Sequence, residues 1–272
     1  MKNNLIVTGS TGYLGSKLVK NLSDFKIYEV KRDGLYIANK KLCDNSHEFN
    51  SYIDENQSYT LIHLATFYPK NEINKKNEII ESNINFGKKI LIQLKDLNLK
   101  QIIYTNTMFN FYEDKGVRNL IYTKSKAEFS NILHEYCSNQ KIVFDEIFLD
   151  NTFGGKDSRG KIVSTIANSV KNGDENPVIN NIAINLTYYG DVINRIRYSL
   201  QNNLGGSDSF VSNKSVNINS IYEFLLYYKQ NSEVDSKILK FSKNNYISKI
   251  PKINHFGLQL TSIYYELLKL IH

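Results

Sequence analysis

A short apolar run, Leu5-Ile6-Val7-Thr8, leads directly into Gly9-Ser10-Thr11-Gly12-Tyr13-Leu14-Gly15. The segment after it keeps apolar residues at Leu14, Leu18, Val19 and Leu22, a helical period. A buried strand, a glycine turn and a helix in that order are the setting in which a glycine motif means dinucleotide binding. Gly9 suits a tight turn, Gly12 a close backbone approach to a pyrophosphate, and Gly15 the packing of helix on strand. The helix N-terminus then presents free N–H groups and a partial positive charge to phosphates. The spacing is Gly-x-x-Gly-x-x-Gly, a modest signal alone, and it is the position and flanks that carry the inference.

Further along, Tyr122 and Lys126 stand four apart in Tyr122-Thr123-Lys124-Ser125-Lys126. Ala127, Phe129, Ile132, Leu133 and Tyr136 continue a helical period, so both side chains lie on one face of a helix. An ammonium beside a phenol stabilises the phenolate and lowers its pKa. Such a Tyr exchanges a proton with an alcohol or ketone near neutral pH. Spacing alone does not separate this pair from an ordinary surface helix in a chain with 19 Tyr. Upstream, Ile102-Ile103-Tyr104 reads as a strand followed by Thr105-Asn106-Thr107. A hydroxyl at the C-terminal end of a strand sits where ligands bind in an open parallel sheet.

Taken in order, these segments resemble the extended short-chain dehydrogenase/reductases, the epimerase/dehydratase group, over nearly the whole chain. Thr8 to Gly15 is similar to the family's cofactor loop. The resemblance implies cofactor contacts from Gly9, Thr11, Gly12, Tyr13, Leu14 and Gly15. Leu42-Cys43-Asp44 resembles the segment whose Asp approaches the adenine, and Leu61 to Thr66 the fourth strand with its cofactor-contacting turn at Leu64, Ala65 and Thr66. Asn83-Ile84-Asn85-Phe86-Gly87 resembles a helix with a structural Asn, which adds Asn83, and the strand ending at Thr107 adds Thr105. The catalytic Ser/Thr role then falls on Thr107, and the catalytic Tyr-x-x-x-Lys on Tyr122 and Lys126, both of which also contact the cofactor in the family. Asn151-Thr152-Phe153-Gly154 resembles the segment opening the substrate region, and Gly190-Asp191-Val192 a later segment with a fixed Asp. Substrate contacts are expected at Thr66, Thr107, Met108 and Asn151, with Arg159 and Lys161 as cations.

The chain departs from that pattern in places. The gap from Thr107 to Tyr122 is short, Phe148 stands where an Arg is frequent, and Ala183-Ile184-Asn185 replaces a Gln-Arg-Asp type sequence that reads the nucleotide phosphate. Arg159, Lys161, Arg195 or Arg197 could supply that cation, and no motif chooses among them.

The second strand ends Tyr28-Glu29-Val30-Lys31-Arg32. A site for NAD places an acid at that strand end to hold the ribose diol. Two cations there suit a 2′-phosphate, so NADP(H) is expected ahead of NAD(H). The alternative is that Lys31 and Arg32 merely cap a strand edge. Glu29 is expected to point within or across the sheet, and Asp33 stays a competing acid.

Composition excludes several classes. Net charge is +7, but the 34 Lys and Arg are scattered with no dense basic stripe, so no nucleic-acid partner is expected. Two cysteines, Cys43 and Cys137, the isolated His47, His134, His255 and His272, and His63 as a strand residue give no metal-ligand spacing, so no metal is expected. No apolar run approaches the ~20 residues that span a bilayer. The strand that follows so soon after Met1 leaves no room for a signal peptide, so a cytoplasmic protein without membrane contact is expected.

Strands are expected over 5–8, 27–31, 60–64, 102–105 and 142–148, and helices over 13–22, 78–97 and 124–137. This alternation implies an α/β, Rossmann-like, doubly wound parallel sheet. The expected organisation is a dinucleotide domain over 1–150, with a return of the chain at about 185–219 through Val216-Asn217-Ile218. A mainly substrate-binding lobe follows over 151–272, with helices over 161–172, 218–230 and 262–271 and a turn region over 202–208. By resemblance the helices over 78–97 and 124–137 form a homodimer face, although their apolar stripes equally serve to cover the sheet.

Met108 and Phe109 follow Thr107 where 4,6-dehydratases of the family carry an Asp-Glu pair. No Cys follows either, unlike epimerase-reductases of the GDP-fucose synthase kind. The resemblance narrows to nucleotide-sugar 4-ketoreductases of the CDP-paratose and CDP-abequose synthase type, acting on a nucleotide-linked 4-keto-6-deoxy sugar. A 4-epimerase with tightly held NAD and a non-catalytic NADPH-binding regulator remain as alternatives.

Overall fold

The computed structural model describes residues 4–38, 40–43, 52–54, 56–69, 71–174, 182–243 and 250–272. Asp44 and His47 lie outside the described residues. Strand β1 (Asn4–Thr8) is buried along its whole length, because parallel strands on both sides cover its edges. It pairs with β2 (Lys26–Lys31), reached through helix α1 (Tyr13–Asn21), and with β5 (Ser58–His63). From β5 the chain passes through α2 (Lys76–Ile80), a π turn at Glu81–Asn85 and α3 (Phe86–Gln93) to β6 (Asn98–Thr107), parallel to β5. Helix α4 (Lys115–Asn119) and the long α5 (Ile121–Gln140) precede β7 (Val143–Leu149).

The sequence expectation of strict strand–helix alternation fails after β2. The chain reverses at Arg32-Asp33 into β3 (Gly34–Ile37), antiparallel to β2, and reverses again into β4 (Lys40–Cys43). Fewer residues separate Lys31 from Lys40 than the dozen or more a parallel crossover takes, so a hairpin forms instead. Gly34 permits it: its φ is +144°, and a Cβ there would lie 2.0 Å from the Cys43 carbonyl oxygen. Two reversals leave β4 running with β2, so Cys43 ends at the same sheet edge as Thr8 and Thr107. The full order of the mostly parallel sheet is β11-β7-β6-β5-β1-β2-β3-β4.

The chain divides into two compact units. The first is Met1–Phe148 with Ile196–Asp208. Its core gathers Ile6, Tyr28, Leu61, Ile102, Tyr104 and Phe129. The returning segment holds the end of α7 (Tyr189–Asn202) and strand β11 (Gly206–Ser209). Gln101 Nε2 donates to Ser199 Oγ at 3.0 Å and to the Leu204 carbonyl at 2.9 Å, and the Ser199 hydroxyl donates to Asp145. The expectation of a turn over 202–208 is therefore corrected in part: Gly206–Ser209 is a polar edge strand with no apolar alternation to reveal it.

The second unit is Leu149–Arg195 with Ser209–His272. It contains β8 (Asn151–Phe153) paired parallel with β10 (Leu186–Tyr188), and a second sheet of β9 (Ala183–Ile184), β12 (Lys214–Asn217) and β13 (Phe241–Lys243). Helices α6 (Ile162–Asn172), α8 (Ile218–Asn231) and α9 (Ile263–Leu268) close a core of Phe153, Ile166, Ile221, Phe224 and Leu267. Val216 belongs to this core, so the expected return through Val216-Asn217-Ile218 is wrong. Among the described residues no helix is long and apolar enough to cross a membrane.

Candidate active site

The glycine loop is built by close approach. Gly9 has φ +71°, and a Cβ on it would lie 2.6 Å from the Ala65 backbone nitrogen. A Cβ on Gly15 would lie 2.1 Å from the Gly9 carbonyl oxygen, so α1 could not pack here with any larger residue. Gly12 precedes α1 and caps it with no side chain, and its own N–H donates to the Gly9 carbonyl at 3.0 Å. The loop therefore keeps the helix N-terminus bare, with exposed Thr11 and half-buried Tyr13 and Leu14 around buried Gly15. Ser10, which the sequence reading passed over, adds a buried hydroxyl with no partner among the described residues. A bare helix start and an unpartnered buried hydroxyl suit a phosphate, so these residues fit a dinucleotide.

The turn after β5 is tied to this loop. The Ala65 N–H donates to Thr8 Oγ1 at 3.3 Å and the Leu64 N–H to the Thr8 carbonyl at 3.3 Å. The buried His63 ring shares a hydrogen bond of 3.0 Å with the same Thr8 hydroxyl, and burial pushes its pKa down to about 3, so it stays neutral. Asn83 sits in the π turn, a local widening that often marks functional helices. Its Oδ1 accepts from Thr66 Oγ1 and the Phe67 N–H, while its Nδ2 donates to the Phe67 carbonyl and Ser125 Oγ. All four hydrogen-bonding capacities of the amide thus go to protein groups. Asn83 thus braces Thr66-Phe67 against α5.

Thr107 ends β6 at the sheet edge, with Thr105 two residues before it on the same face of the strand. The Thr107 hydroxyl oxygen accepts the Phe109 N–H at 3.2 Å, capping a 3-10 turn over Met108–Phe111. That leaves its hydrogen to donate elsewhere. Tyr122 and Lys126 both lie in α5, one turn apart. The Tyr122 ring stacks at 4.4 Å from the Tyr68 ring and at 6.2 Å, edge-on, from Phe109. Lys126 is 3% exposed, and its ammonium lies 4.1 Å over the Tyr104 ring. Burial brings its pKa down to about 7, opposed by the field of Glu146.

The start of α5 has no capping side chain of its own. Glu72 supplies one from a distant loop: its carboxylate accepts the Ile121 N–H at 2.7 Å and the Tyr122 N–H at 2.8 Å. A carboxylate at a helix N-terminus satisfies orphan donors and complements the dipole. Sequence reading missed Glu72 because it acts across 50 positions with no local motif.

At the end of β2 the two expected cations part company. Lys31 lies 3.7 Å from buried Glu29 and 3.9 Å over the Tyr36 ring, while Arg32 is exposed at the hairpin turn. Asp33 accepts the Tyr36 hydroxyl at 2.6 Å and pairs with Lys41 at 3.6 Å.

In the second unit, half-buried Asn151 donates to Asp150 at 2.7 Å. Arg159 is clamped on both oxygens of Asp157 and on the Thr152 carbonyl. Lys161 precedes α6, and burial, helped by Arg159, brings its pKa down to about 8. Two other candidate cations are withdrawn. Arg195 is fully buried with its guanidinium 4.4 Å from the Phe256 ring, and Arg197, in the first unit, grips Asp24 and the Asn21 carbonyl. Asn185, at the position of the missing Gln-Arg-Asp, is buried and stitches Ser212 and Lys214. Asp191 is fixed by the Thr261 N–H and hydroxyl. Phe148 packs edge-on against Phe111 at 5.1 Å.

Comparison with known proteins places the chain in a family. Residues 5–218 match the family model described as the NAD dependent epimerase/dehydratase family. The chain is similar to a CDP-abequose synthase of Yersinia pseudotuberculosis, 26% identical over 221 residues that cover 75% of this chain and 76% of that one. It is also similar to a CDP-abequose synthase of Salmonella muenchen, 23% identical over 254 residues, with 86% and 82% covered. Among solved structures, a UDP-N-acetylglucosamine 4-epimerase from Bacillus cereus superposes with a TM-score of 0.74 at 13% identity, covering 99% of this chain and 96% of that one. At that identity the likeness speaks to the fold alone.

Proposed function

We propose that this chain, which belongs to the NAD dependent epimerase/dehydratase family, is a reductase that converts the 4-keto group of a nucleotide-linked 4-keto-6-deoxy hexose to an alcohol. The observation that carries the proposal is the wall around Tyr122. Tyr68 and Phe109 flank its ring, and Met108, next to Thr107, is fully buried. Met108 and Phe109 directly follow Thr107, so no carboxylic acid or thiol stands next to it in sequence, which supports Tyr122 as the proton donor.

The cofactor loop of Gly9, Ser10, Thr11, Gly12 and Tyr13, the Leu64-Ala65 turn and Arg32 would hold NADPH, with Lys31 sharing its charge between Glu29 and the ligand. NADPH supplies the hydride when bound. Tyr122 donates a proton to the oxygen that becomes the alcohol. Lys126, one turn on, stabilises the phenolate left behind by its positive charge. Thr107 donates a hydrogen bond to the reacting oxygen, since its own oxygen is occupied by the Phe109 N–H. Tyr68 is a second phenol nearby, but burial and Glu72 raise its pKa and keep it protonated.

The test is a panel of 4-keto-6-deoxy sugar nucleotides incubated with NADPH, followed by absorbance and product NMR. The expected result is one NADPH consumed per product, with a C4 hydroxyl of single configuration. Interconversion of C4 epimers without net NADPH loss points to a 4-epimerase instead. Tight NADPH binding with no turnover on any member of the panel points to a regulator.

A further inference from the structure

The first unit contains a buried carboxylate that the chemistry above does not use. Glu146, on β7, is 3% exposed. Its Oε1 accepts from Asn106 Nδ2 at 2.7 Å and from the Ser130 hydroxyl. Its Oε2 accepts from the Ser207 hydroxyl at 2.8 Å and lies 3.4 Å from His134 Nε2. Removing a carboxylate from water is costly unless it is fully bonded, and a group so completely bonded in the interior is held in one place.

Two of these partners lead to the residues assigned to chemistry. Asn106 passes the restraint to Thr107: its Oδ1 accepts the Thr107 backbone N–H at 2.8 Å. Ser130 lies one turn beyond Lys126 on the same face of α5, so the carboxylate docks beside the turn that carries the ammonium. Lys126 is itself buried and rests on the Tyr104 ring. The titratable groups facing it are Tyr122 on its own helix, His63 on β5, Tyr104 on β6 and Glu146 on β7. His63 is neutral, and burial raises the Tyr104 phenol far above its ordinary range, so neither brings a compensating negative charge. The titratable group beside Glu146 from α5, besides Lys126, is half-exposed His134, 3.4 Å away.

We propose that Glu146 is a positioning residue, a buried carboxylate that locks the end of β6 under Thr107 to the Lys126 turn of α5 and supplies the counter-charge for that ammonium. It touches neither substrate nor cofactor. It acts through Asn106 on where the Thr107 hydroxyl sits, and through its field on whether Lys126 keeps its proton. The proposal rests on the assignment of Thr107, Tyr122 and Lys126 to chemistry, but its first readout does not need turnover.

The experiment is proton-detected NMR of 15N-lysine-labelled full-length protein, titrating Lys126 in the parent, Glu146→Gln and Asp145→Asn. Asp145 is the control because it is equally buried in β7 but faces the opposite way, onto Ser199. The expected result is a fall in the Lys126 midpoint in Glu146→Gln and no movement in Asp145→Asn. Each unit of fall is tenfold less ammonium at a fixed pH above the midpoint. The alkaline limb of the kcat profile then moves to lower pH in the same variant, with KM little changed. An unmoved Lys126 midpoint, or equal movement in both variants, overturns the counter-charge role even if the protein proves to be a reductase. Should Glu146→Gln fail to fold, Asn106→Ser cuts the arm to Thr107. Its expected result is a ~10-fold lower kcat with unchanged NADPH affinity, and an unchanged kcat overturns the proposal.

Discussion

The first unit holds two clusters of charged and aromatic residues, and they are built on opposite plans. Around α5 and β7, Lys126 and Glu146 are each 3% exposed, and hydrogen bonds and rings hold them from several elements. At the β2–β3 hairpin, Arg32, Asp33 and Lys41 lie at the surface and are joined mainly to their near neighbours in sequence. A charge in the first place feels a low dielectric and cannot be moved without consequence. A charge in the second is screened by water and is worth much less. Under the proposed function, the buried cluster is the one that moves protons and the surface cluster the one that selects the cofactor.

The comparison breaks first at Tyr122. Tyr122→Phe keeps the ring against Tyr68 and removes the transferable proton, so kcat is expected to fall ~10²–10⁴-fold while NADPH still binds. Tyr68→Phe is the control, and a similar loss there would move the donor role to Tyr68.

Lys126 sharpens it next, because its burial opposes its charge. With a folded-state pKa of about 7 against an ordinary 10.5, Lys126 is largely neutral in the folded protein between those values and protonated in the unfolded chain. The unfolded state binds the extra proton, so this residue makes stability rise with pH across that window. Lys126→Met is expected to abolish turnover, remove that pH dependence and raise Tm when measured by thermal unfolding near pH 7. A lower Tm would show that Glu146 more than offsets the cost of burial. In the parent, kcat/KM is expected to fall as pH rises through about 7, where the free enzyme loses the ammonium.

A smaller effect is expected at Glu72. Glu72→Ala leaves the Ile121 and Tyr122 N–H groups without their cap, a loss of about 1 kcal/mol. Activity should fall ~5-fold, with faster amide exchange confined to the first turn of α5. Unchanged exchange there would remove Glu72 from the account.

The smallest effects belong to the hairpin. Arg32→Ala should weaken NADPH a few-fold, on the scale of an exposed charge pair, and leave NADH nearly unchanged. Lys31→Ala should matter less, because Glu29 already shares that charge. Equal loss for both cofactors, read by fluorescence titration, would mean that the hairpin does not select the 2′-phosphate.

What could be read from the sequence divides along a related line. Local patterns were legible: the strand–glycine–helix entry at Leu5 to Leu22, the helical period that puts Tyr122 and Lys126 on one face, and the strand leading to Thr107. Each is encoded in one short continuous stretch. The β3–β4 hairpin was not legible, since Gly34-Leu35-Tyr36-Ile37 is too short to show a period. Strand β11 escaped because its residues are polar and serve as hydrogen-bond partners, as Ser207 does for Glu146. Glu72, Asn83 as a brace, and Glu146 act across tens of positions, where no spacing rule reaches. In sequence Glu146 is one acid beside another, and only the fold shows that Asp145 and Glu146 face different partners.

The central claim is the proposed one, that Tyr122 donates the proton of a carbonyl reduction that needs no carbon-acid chemistry. Turnover of a nucleotide 4-keto-6-deoxyhexose with NADPH in heavy water tests it most directly, with the product read by NMR. The account predicts no solvent deuterium at C3 or C5. Deuterium at either carbon would contradict it, because it requires a second acid/base group that removes and returns a carbon-bound proton.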